Sequence, residues 1–337
     1  MSNTPTPVYI VTGFLGAGKT SFLNHWIRSS PDERIMVIEN EVGAVNLDSQ
    51  WIVGTEITPV PLTAGCLCCS LHSELIDVLE ELGRRRDSFD ALVIETTGVA
   101  DPESLALPFL TMGRVERDFK LQNIICLVDA GNFEHWLTQA EEAKRQVAFA
   151  DVLLVNKIDT LEDVEVSKLI KVLHEINPQA QVWTGKQGEF PVAELREVNR
   201  FEGQGAVDQY QQIDTDHQTE NHGITTFSLS FEQPFDLRGL SQTLMQLLTI
   251  NRHQIYRIKG ILNAHDYPIQ VVLQSVYRTF ILSDGVAWPV DEPRTSKVVI
   301  IGKKLEKEAL KKLFTRHLLG ETASESIKES HSQSSSE

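Results

Sequence analysis

The chain lacks a long apolar run, a basic leader and an excess of cationic charge. No stretch reaches the ~18 consecutive apolar residues of a membrane span, and the first residues, MSNTPTPVYIV, contain no basic segment of a secretory signal. These absences predict a cytoplasmic protein with no membrane partner. The 31 Lys and Arg are outnumbered by 47 Asp and Glu, for a net charge of −16. Nucleic acid is therefore not expected as a partner, because phosphate neutralisation needs clustered cations.

Cysteine is scarce, since four thiols in 337 residues do not make a disulfide scaffold. Three of the four nevertheless fall within four consecutive positions, at Cys66, Cys68 and Cys69. In a reducing compartment such a cluster is more typical of metal binding or redox chemistry than of a structural bridge. The fourth, Cys126, lies inside an apolar run and is expected in the core.

The first part of the chain alternates short β-branched runs with helical patterns. The runs are Val8–Thr12, Arg34–Ile38, Ala91–Glu95, Asn123–Asp129, Asp151–Val155 and Gln181–Trp183. Near-continuous apolar strands separated by helices indicate a mainly parallel sheet that is buried on both faces. We therefore predict an α/β domain over residues 1–202.

The second part has a different pattern. Residues 203–223 are rich in Gln, Asp, Gly and His and are predicted to be a polar linker. Residues 224–320 predict a smaller α+β domain with an antiparallel sheet, in which Thr226–Phe231 alternates like a half-buried strand and Asp236 caps a helix. The Ser- and Glu-rich tail, 321–337, is predicted to be disordered.

A phosphate-binding motif directly follows the first predicted strand. Residues 13–20, GFLGAGKT, match G-x-x-x-x-G-K-[ST] and precede a helical pattern. The glycines let successive backbone N–H groups point at phosphate oxygens, while Lys19 reaches the β- and γ-phosphates and Thr20 ligates Mg²⁺. The residues expected to bind nucleotide here are Gly13, Gly16, Ala17, Gly18, Lys19 and Thr20.

Two further motifs select and sense the nucleotide. Asn156-Lys157-Ile158-Asp159 follows a buried strand, and Asp159 can accept both hydrogen bonds that guanine offers and adenine does not. The motif therefore predicts GTP, with Lys157 along the base and Asn156 tied to the phosphate loop. Glu95-Thr96-Thr97-Gly98 ends another strand, so that Glu95 is expected in the outer Mg²⁺ shell and Gly98 near the γ-phosphate. We assign catalytic roles to Lys19, Thr20 and Glu95.

The thiol cluster lies in a predicted loop, between a short edge strand at Ile57–Leu62 and a helix from Leu71. Thiols at i, i+2 and i+3 of a loop can face one point, and the helix N-terminus stabilises thiolates. Zn²⁺ usually takes four ligands, so at least one more is expected, with Glu39, Glu41 and His72 as candidates. A solvated position in the first turn of its helix is the favoured interpretation for His72. A redox pair and buried thiols are the alternatives to metal binding. His217 and His222 in the linker are left unassigned.

Together these segments resemble the CobW-type metallochaperone GTPases, relatives of the nickel-inserting proteins UreG and HypB. The resemblance runs from Pro7 to Leu319 and is carried by Gly13–Thr20, Glu39–Glu41, Gly65–Cys69, Glu95–Gly98, Asn156–Asp159, Arg257–Ile261, Trp288 and Val298–Lys303. It implies a P-loop GTPase that uses GTP and Mg²⁺ to load a transition metal onto a client metalloprotein. It also implies that Cys66, Cys68 and Cys69 hold the metal together with the loop of Glu39 and Glu41.

Several points stay open at this stage. Thiolate and carboxylate ligands suit Zn²⁺ first and Co²⁺ next, with Ni²⁺ not excluded. The family often carries a phenylalanine and an acidic residue where this chain has Val42 and Ala44. A regulatory GTPase with a redox-sensing cysteine cluster is the alternative function, and a P-loop kinase is a weaker one. The client is not identified, and a homodimer is left open.

Overall fold

The computed structural model describes residues 4–40, 60–61, 70–98, 101–198, 218–276 and 278–320, with the backbone alone at 39–40, 60–61 and 70–74. The chain divides into two units, Met1–Phe201 and Glu202–Glu337. Each is described by itself below.

The first unit is built on a parallel sheet of seven strands. They are β1 (Thr6–Gly13), β2 (Ile35–Asn40), β3 (Val60–Pro61), β4 (Ala91–Thr96), β5 (Phe119–Asp129), β6 (Val152–Asn156) and β7 (Gln181–Thr184). Their order is β3-β2-β4-β1-β5-β6-β7, and every adjacent pair is parallel. The predicted α/β class is confirmed.

The helices of this unit alternate with the strands. They are α1 (Lys19–Ser29), α2 (Ser70–Arg84), α3 (Pro102–Thr111), α4 (Gly113–Asp118), α5 (Phe133–Gln139), α6 (Glu141–Phe149), α7 (Asp163–Ile176) and α8 (Val192–Glu197). Apolar residues at helical spacing bury one face of each long helix. In α1, Phe22 and Trp26 are fully buried, and the Trp26 ring meets that of Tyr9 from β1 edge-on at 5.0 Å.

All strands of a parallel sheet end at the same edge, so the loops that follow them converge there. In this chain four polar or glycine residues lie at that edge, each at the end of a strand: Gly13 (β1), Thr96 (β4), Asp129 (β5) and Asn156 (β6). The nucleotide-binding motifs predicted from the sequence all lie along it.

In its described residues the second unit contains an antiparallel sheet of six strands and two helices. They are β8 (Gln218–Asn221), β9 (Ile224–Phe231), α9 (Leu237–Ile250), β10 (Ile255–Leu262), β11 (Ile269–Val276), β12 (Thr279–Ala287), β13 (Ser296–Gly302) and α10 (Lys307–Thr315). The strand order is β12-β11-β10-β13-β9-β8. Leucines of α9 and Phe314 of α10 share one core with Phe227 and Ile258. The predicted antiparallel α+β domain is confirmed.

The predicted cap of α9 is present. Asp236 precedes the helix, and its carboxylate accepts hydrogen bonds from the backbone N–H groups of Arg238, at 3.0 Å, and Gly239, at 3.2 Å. These bonds satisfy two of the donors that a helix N-terminus otherwise leaves without partners.

The end of the predicted linker was wrong. Strand β8 and a two-residue turn occupy positions 218–223, which the composition had assigned to the linker. His222 and Gly223 both have positive φ, 49° and 76°, the pattern of a tight hairpin turn whose twist suits the flanking strands. The strand escaped prediction because Gln218-Thr-Glu-Asn has no apolar residue to alternate. Residues 199–217, including His217, lie outside the described residues.

Burial on the second sheet also departs from the prediction. Thr226 and Ser228 are only 4% and 5% exposed, so β9 is buried on both faces rather than half-buried. Arg257 and Lys259 of β10 are 1% and 3% exposed, so both cations are buried in the sheet. Side-chain burial on a sheet depends on what packs against each face, and the sequence pattern of one strand does not contain that information.

No helix in the described part of the chain is both long enough and apolar enough to cross a membrane.

Candidate functional site

The phosphate loop joins β1 to α1 in a conformation that depends on glycine. Gly13, Gly16 and Gly18 have φ of 135°, 77° and 97°, a region that other residues rarely adopt. A Cβ on Gly13 would collide with the carbonyl oxygen of Leu127, and one on Gly18 would collide with the side-chain amide of Asn156. Neither position therefore tolerates a side chain.

The first turn of α1 offers free backbone donors to an anion. Among the described residues no side chain caps this helix, and its first turn contains no acidic residue. Uncapped N–H groups and the positive end of the helix dipole attract phosphate. Lys19, at the start of α1, adds a cation whose Nζ donates to the Gly13 carbonyl oxygen at 2.9 Å. Burial lowers the pKa of the Lys19 ammonium, and the nearby Glu95 carboxylate opposes that shift.

Thr20 and Glu95 bring two oxygen atoms together beside the loop. The Thr20 hydroxyl donates to Glu95 Oε1 at 3.4 Å. Glu95 lies near the end of β4, in register with Val11 of β1 on one side and Glu39 of β2 on the other. A hydroxyl and a carboxylate are the ligand types that Mg²⁺ takes in proteins, so the chemistry of these side chains fits that ion.

Gly98 lies directly against the phosphate loop. A Cβ there would come within 2.7 Å of the Leu15 backbone nitrogen, so only glycine fits. Gln146 of α6 donates to the Gly98 carbonyl oxygen at 3.1 Å. Three residues further on, the carboxylate of Asp101 caps α3 by accepting from Glu103 N at 3.0 Å. Burial raises the pKa of that carboxyl group.

The loop after β6 is bound to the phosphate loop at two points. Asn156 donates from Nδ2 to the Ala17 carbonyl oxygen at 2.9 Å, as the motif predicts. Lys157, whose φ is 62°, donates from Nζ to the Gly16 carbonyl oxygen at 2.6 Å. Asp159 is exposed, and its carboxylate has no partner within the part of the chain that the structure describes.

Two elements of this site were missed by sequence reasoning. Asp129, at the end of β5, accepts from Lys157 Nζ at 2.8 Å and is almost completely buried. The turn from Gly185 to Gly188 follows β7, and Gly188 N donates to Asn156 Oδ1 at 3.0 Å. The only signals available were an acidic residue at a strand end and two glycines after another strand, both of which are common in loops.

The predicted transition-metal ligands are not tested by the structure. Cys66, Cys68, Cys69 and Glu41 lie outside the described residues, and Glu39 is described by its backbone alone. Across the described ranges no group of three or more His, Cys, Asp or Glu side chains is placed to hold a metal ion. The thiol site stays a prediction.

Comparison with protein-family models decides the family. Residues 7–184 match the model for the CobW/HypB/UreG nucleotide-binding domain, and residues 224–318 match the carboxy-terminal domain of the cobalamin synthesis protein CobW. The chain belongs to the CobW family. It is accordingly a P-loop GTPase with the two-part organisation of that family.

Similar proteins cover nearly all of this CobW-family chain. It is 32% identical over 315 residues to zinc chaperone YjiA of Escherichia coli, covering 92% of this chain and 98% of the relative. It is 29% identical to zinc chaperone CobW of Pseudomonas aeruginosa, covering 90% and 89%. The crystal structure of Zn(II)-bound YjiA GTPase from E. coli matches with a TM-score of 0.70 at 26% identity, over 94% of this chain and 100% of that chain.

Proposed function

We propose that this CobW-family GTPase is a metallochaperone that binds zinc through Cys66, Cys68 and Cys69 and delivers it to a client protein. The names of its relatives support this, since two of them are called zinc chaperones and one was crystallised with Zn(II). The cysteine cluster of this chain supplies the soft ligands that zinc prefers, and Co²⁺ is the next ion that such ligands suit. Glu39 and Glu41 are the proposed oxygen ligands.

The contacts around the phosphate loop support the proposed nucleotide roles. Uncapped N–H groups of α1 and the Lys19 ammonium hold the phosphates, and Asp159 accepts hydrogen bonds from guanine. The exposed, unpartnered carboxylate of Asp159 supports this role, because it has no competing partner among the described residues. Thr20 and Glu95 would hold Mg²⁺, which supplies positive charge to the β- and γ-phosphate oxygens during hydrolysis.

The backbone register supports a metal site next to the nucleotide. Strand β3 pairs with β2, so that Pro61 lies beside Glu39, and Glu39 lies beside Glu95 of β4. The thiol segment begins directly after β3 and ends where α2 starts at Ser70. The proposed zinc ligands and the proposed Mg²⁺ ligand therefore start from neighbouring strands at one edge of the sheet.

This proximity provides a route for coupling. In the proposed site Glu95 of β4 helps to bind GTP and Mg²⁺, and Glu39 lies beside it on the neighbouring strand β2. Nucleotide binding can therefore order the segment that leads to the thiols. Hydrolysis removes the γ-phosphate and relaxes that segment, which lowers zinc affinity and releases the ion to the client. A coupling of about 1–3 kcal/mol corresponds to a roughly 5–150-fold change in affinity.

The test is a zinc count in the presence of a competing chelator. Cys66→Ser and Cys68→Ser should each lose one tightly bound zinc, while Cys126→Ser, which changes a buried thiol in β5, should keep it. A Zn(II)-bound triple mutant of YjiA that lacks one glutamate and two cysteines also matches this fold, at a TM-score of 0.70 and 25% identity. Weak zinc binding elsewhere is therefore expected, and the competitor removes it from the count.

The redox alternative predicts a different zinc count and a different response to oxidation. A sensor would hold no tight zinc in the wild type and would form a disulfide between clustered thiols on mild oxidation, reversed by a thiol reductant. Mass determination before and after oxidation distinguishes the two. Unchanged tight zinc in both serine variants would reject the proposed thiol site.

A further inference from the structure

Helix α6 carries a buried polar side chain that is bonded to the Glu95–Gly98 motif. Gln146 is only 1% exposed, and its Nε2 donates to the Gly98 carbonyl oxygen at 3.1 Å. Its neighbours in α6 include the apolar Ala143, Val147 and Ala148, which are all buried. A primary amide in such surroundings costs free energy unless it is hydrogen-bonded, and the bond to Gly98 provides a partner for its Nε2.

Gly98 is constrained by two neighbours. Leu15 of the phosphate loop lies so close that a Cβ on Gly98 would overlap it, and Gln146 donates a hydrogen bond to its carbonyl oxygen. Glycine has unusually free backbone torsions. A hydrogen bond to its carbonyl oxygen restricts the torsion that follows Gly98 and keeps this residue in contact with the phosphate loop.

Helix α6 also connects Gly98 with the loop Asn156–Asp159, which follows β6. Helix α6 ends at Phe149, β6 begins at Val152, and β6 ends at Asn156, which binds the phosphate loop. The preceding residue of α6, Arg145, acts electrostatically on Asp101, the cap of α3. Through adjacent residues α6 therefore reaches both ends of the segment from Gly98 to Asp101.

We propose that Gln146 is a positioning residue for GTP hydrolysis, holding Gly98 against the phosphate loop so that its N–H can meet the γ-phosphate. The inference rests on GTP hydrolysis by this chain, and it adds a residue outside the nucleotide motifs. Only GTP carries a γ-phosphate, so Gln146 should strengthen the binding of GTP and not that of GDP. Its loss should lower discrimination between the two nucleotides rather than weaken all nucleotide binding.

The test compares Gln146→Met with Gln179→Met in the full chain. Met has nearly the length of Gln and cannot donate the bond. Gln179 is a matched control, because it is also buried, at 5% exposure, and its side-chain amide has no partner among the described residues. Affinities for GDP and for a non-hydrolysable GTP analogue are measured with Mg²⁺, together with the turnover of GTP.

In Gln146→Met we expect affinity for the GTP analogue and turnover to fall about five- to tenfold, the effect of one hydrogen bond, with GDP affinity within about twofold of wild type. Gln179→Met should match wild type in all three measurements. Equal losses for GDP and the analogue, or no loss, would overturn the proposal. Should Gln146→Met fail to fold, Gln146→Leu serves the same comparison. Wild-type turnover tests GTP hydrolysis itself, independently of either variant.

Discussion

Asn156 Nδ2 lies 2.9 Å from the carbonyl oxygen of Ala17, so the loop after β6 is bound directly to the phosphate loop. The same side chain accepts from Gly188 N at 3.0 Å through its other polar atom. One buried amide therefore connects three loops at the carboxyl edge of the sheet. Base and phosphate contacts are expected to form together, which makes the proposed guanine-binding residues effective points at which to test the site.

Asp159→Asn should change which purine the protein prefers. The carboxylate accepts two hydrogen bonds from guanine, whereas an amide also donates and can pair with the C2 carbonyl of xanthine. Hydrogen bonds to a charged group contribute about 1.5–3 kcal/mol, so GTP affinity should fall about 10- to 100-fold while xanthosine triphosphate affinity rises. Competition titrations with both nucleotides measure this. Asp163→Asn, an exposed change in the next helix, is the control. Unchanged preference in Asp159→Asn would contradict the assignment of guanine.

Asp129→Asn should weaken guanine nucleotides without distinguishing GDP from GTP. It removes the charge that holds Lys157 Nζ at 2.8 Å, although Lys157 remains bonded to Gly16. The Lys157 side chain is 38% exposed, so solvent screens the pair and the expected loss is modest, about two- to tenfold. Equilibrium binding of both nucleotides at low and high salt is the measurement. Glu81→Gln, which removes an exposed ion pair to Arg84, should have no effect.

Cys126 should be inert to thiol reagents in the folded protein. It is fully buried in β5, and burial raises its pKa to about 12, so almost none of it is thiolate near neutral pH. Counting thiols with a chromogenic disulfide should therefore give the same fast-reacting number in wild type and Cys126→Ser. After denaturation the variant should show one thiol fewer. A fast-reacting thiol that disappears in Cys126→Ser would contradict the buried position.

Asp101 should make stability depend on pH. Burial raises the pKa of this carboxyl in the folded state, so the folded protein holds the proton more tightly than the unfolded chain, and stability from this group falls as pH rises above the usual value. Asp101→Asn keeps the cap without the charge and should be at least as stable as wild type at pH 7. That advantage should shrink as pH falls toward the ordinary carboxyl range.

Asp101→Ala separates the cap from the charge. It removes the acceptor for Glu103 N and, compared with Asp101→Asn, which is also uncharged, should cost about 1 kcal/mol at any pH, the usual contribution of a helix cap. Urea unfolding of the three proteins at two pH values measures both effects. An advantage of Asp101→Asn that grows with acidity would contradict the direction of the pKa change.

Contiguous motifs predicted most of the residues that the structure brings together around the phosphate loop. Apolar runs with β-branched residues located six of the seven described parallel strands, and the seventh, β3, lies within the predicted edge strand Ile57–Leu62. Gly13–Thr20 and Asn156–Asp159 carry their chemistry within a few adjacent residues. Asp129 was missed because its role exists only after β5 and β6 lie side by side. Gly188 was missed for the same reason, since its partner Asn156 is 32 residues away.

The second domain shows the same limit in its packing. Alternation predicted the strand at Thr226–Phe231, but β8 contains no apolar residue and forms through its hairpin with β9. The sequence of β10 does not predict that Arg257 and Lys259 are buried. Alternation along a strand assigns residues to its two faces, but it does not show which elements pack against each face. Patterns among neighbouring residues predict the helices and strands, whereas contacts between residues far apart in the sequence determine what packs against them.

Zinc affinity in two nucleotide states is the most direct test of the proposed function. The full chain is titrated with zinc buffered by a chelator, once with Mg²⁺ and a non-hydrolysable GTP analogue and once with Mg²⁺ and GDP. Coupling between the neighbouring strands of Glu39 and Glu95 predicts roughly 5–150-fold tighter zinc in the GTP-analogue state, with the difference lost in Cys66→Ser. Equal zinc affinity in the two states would contradict the account.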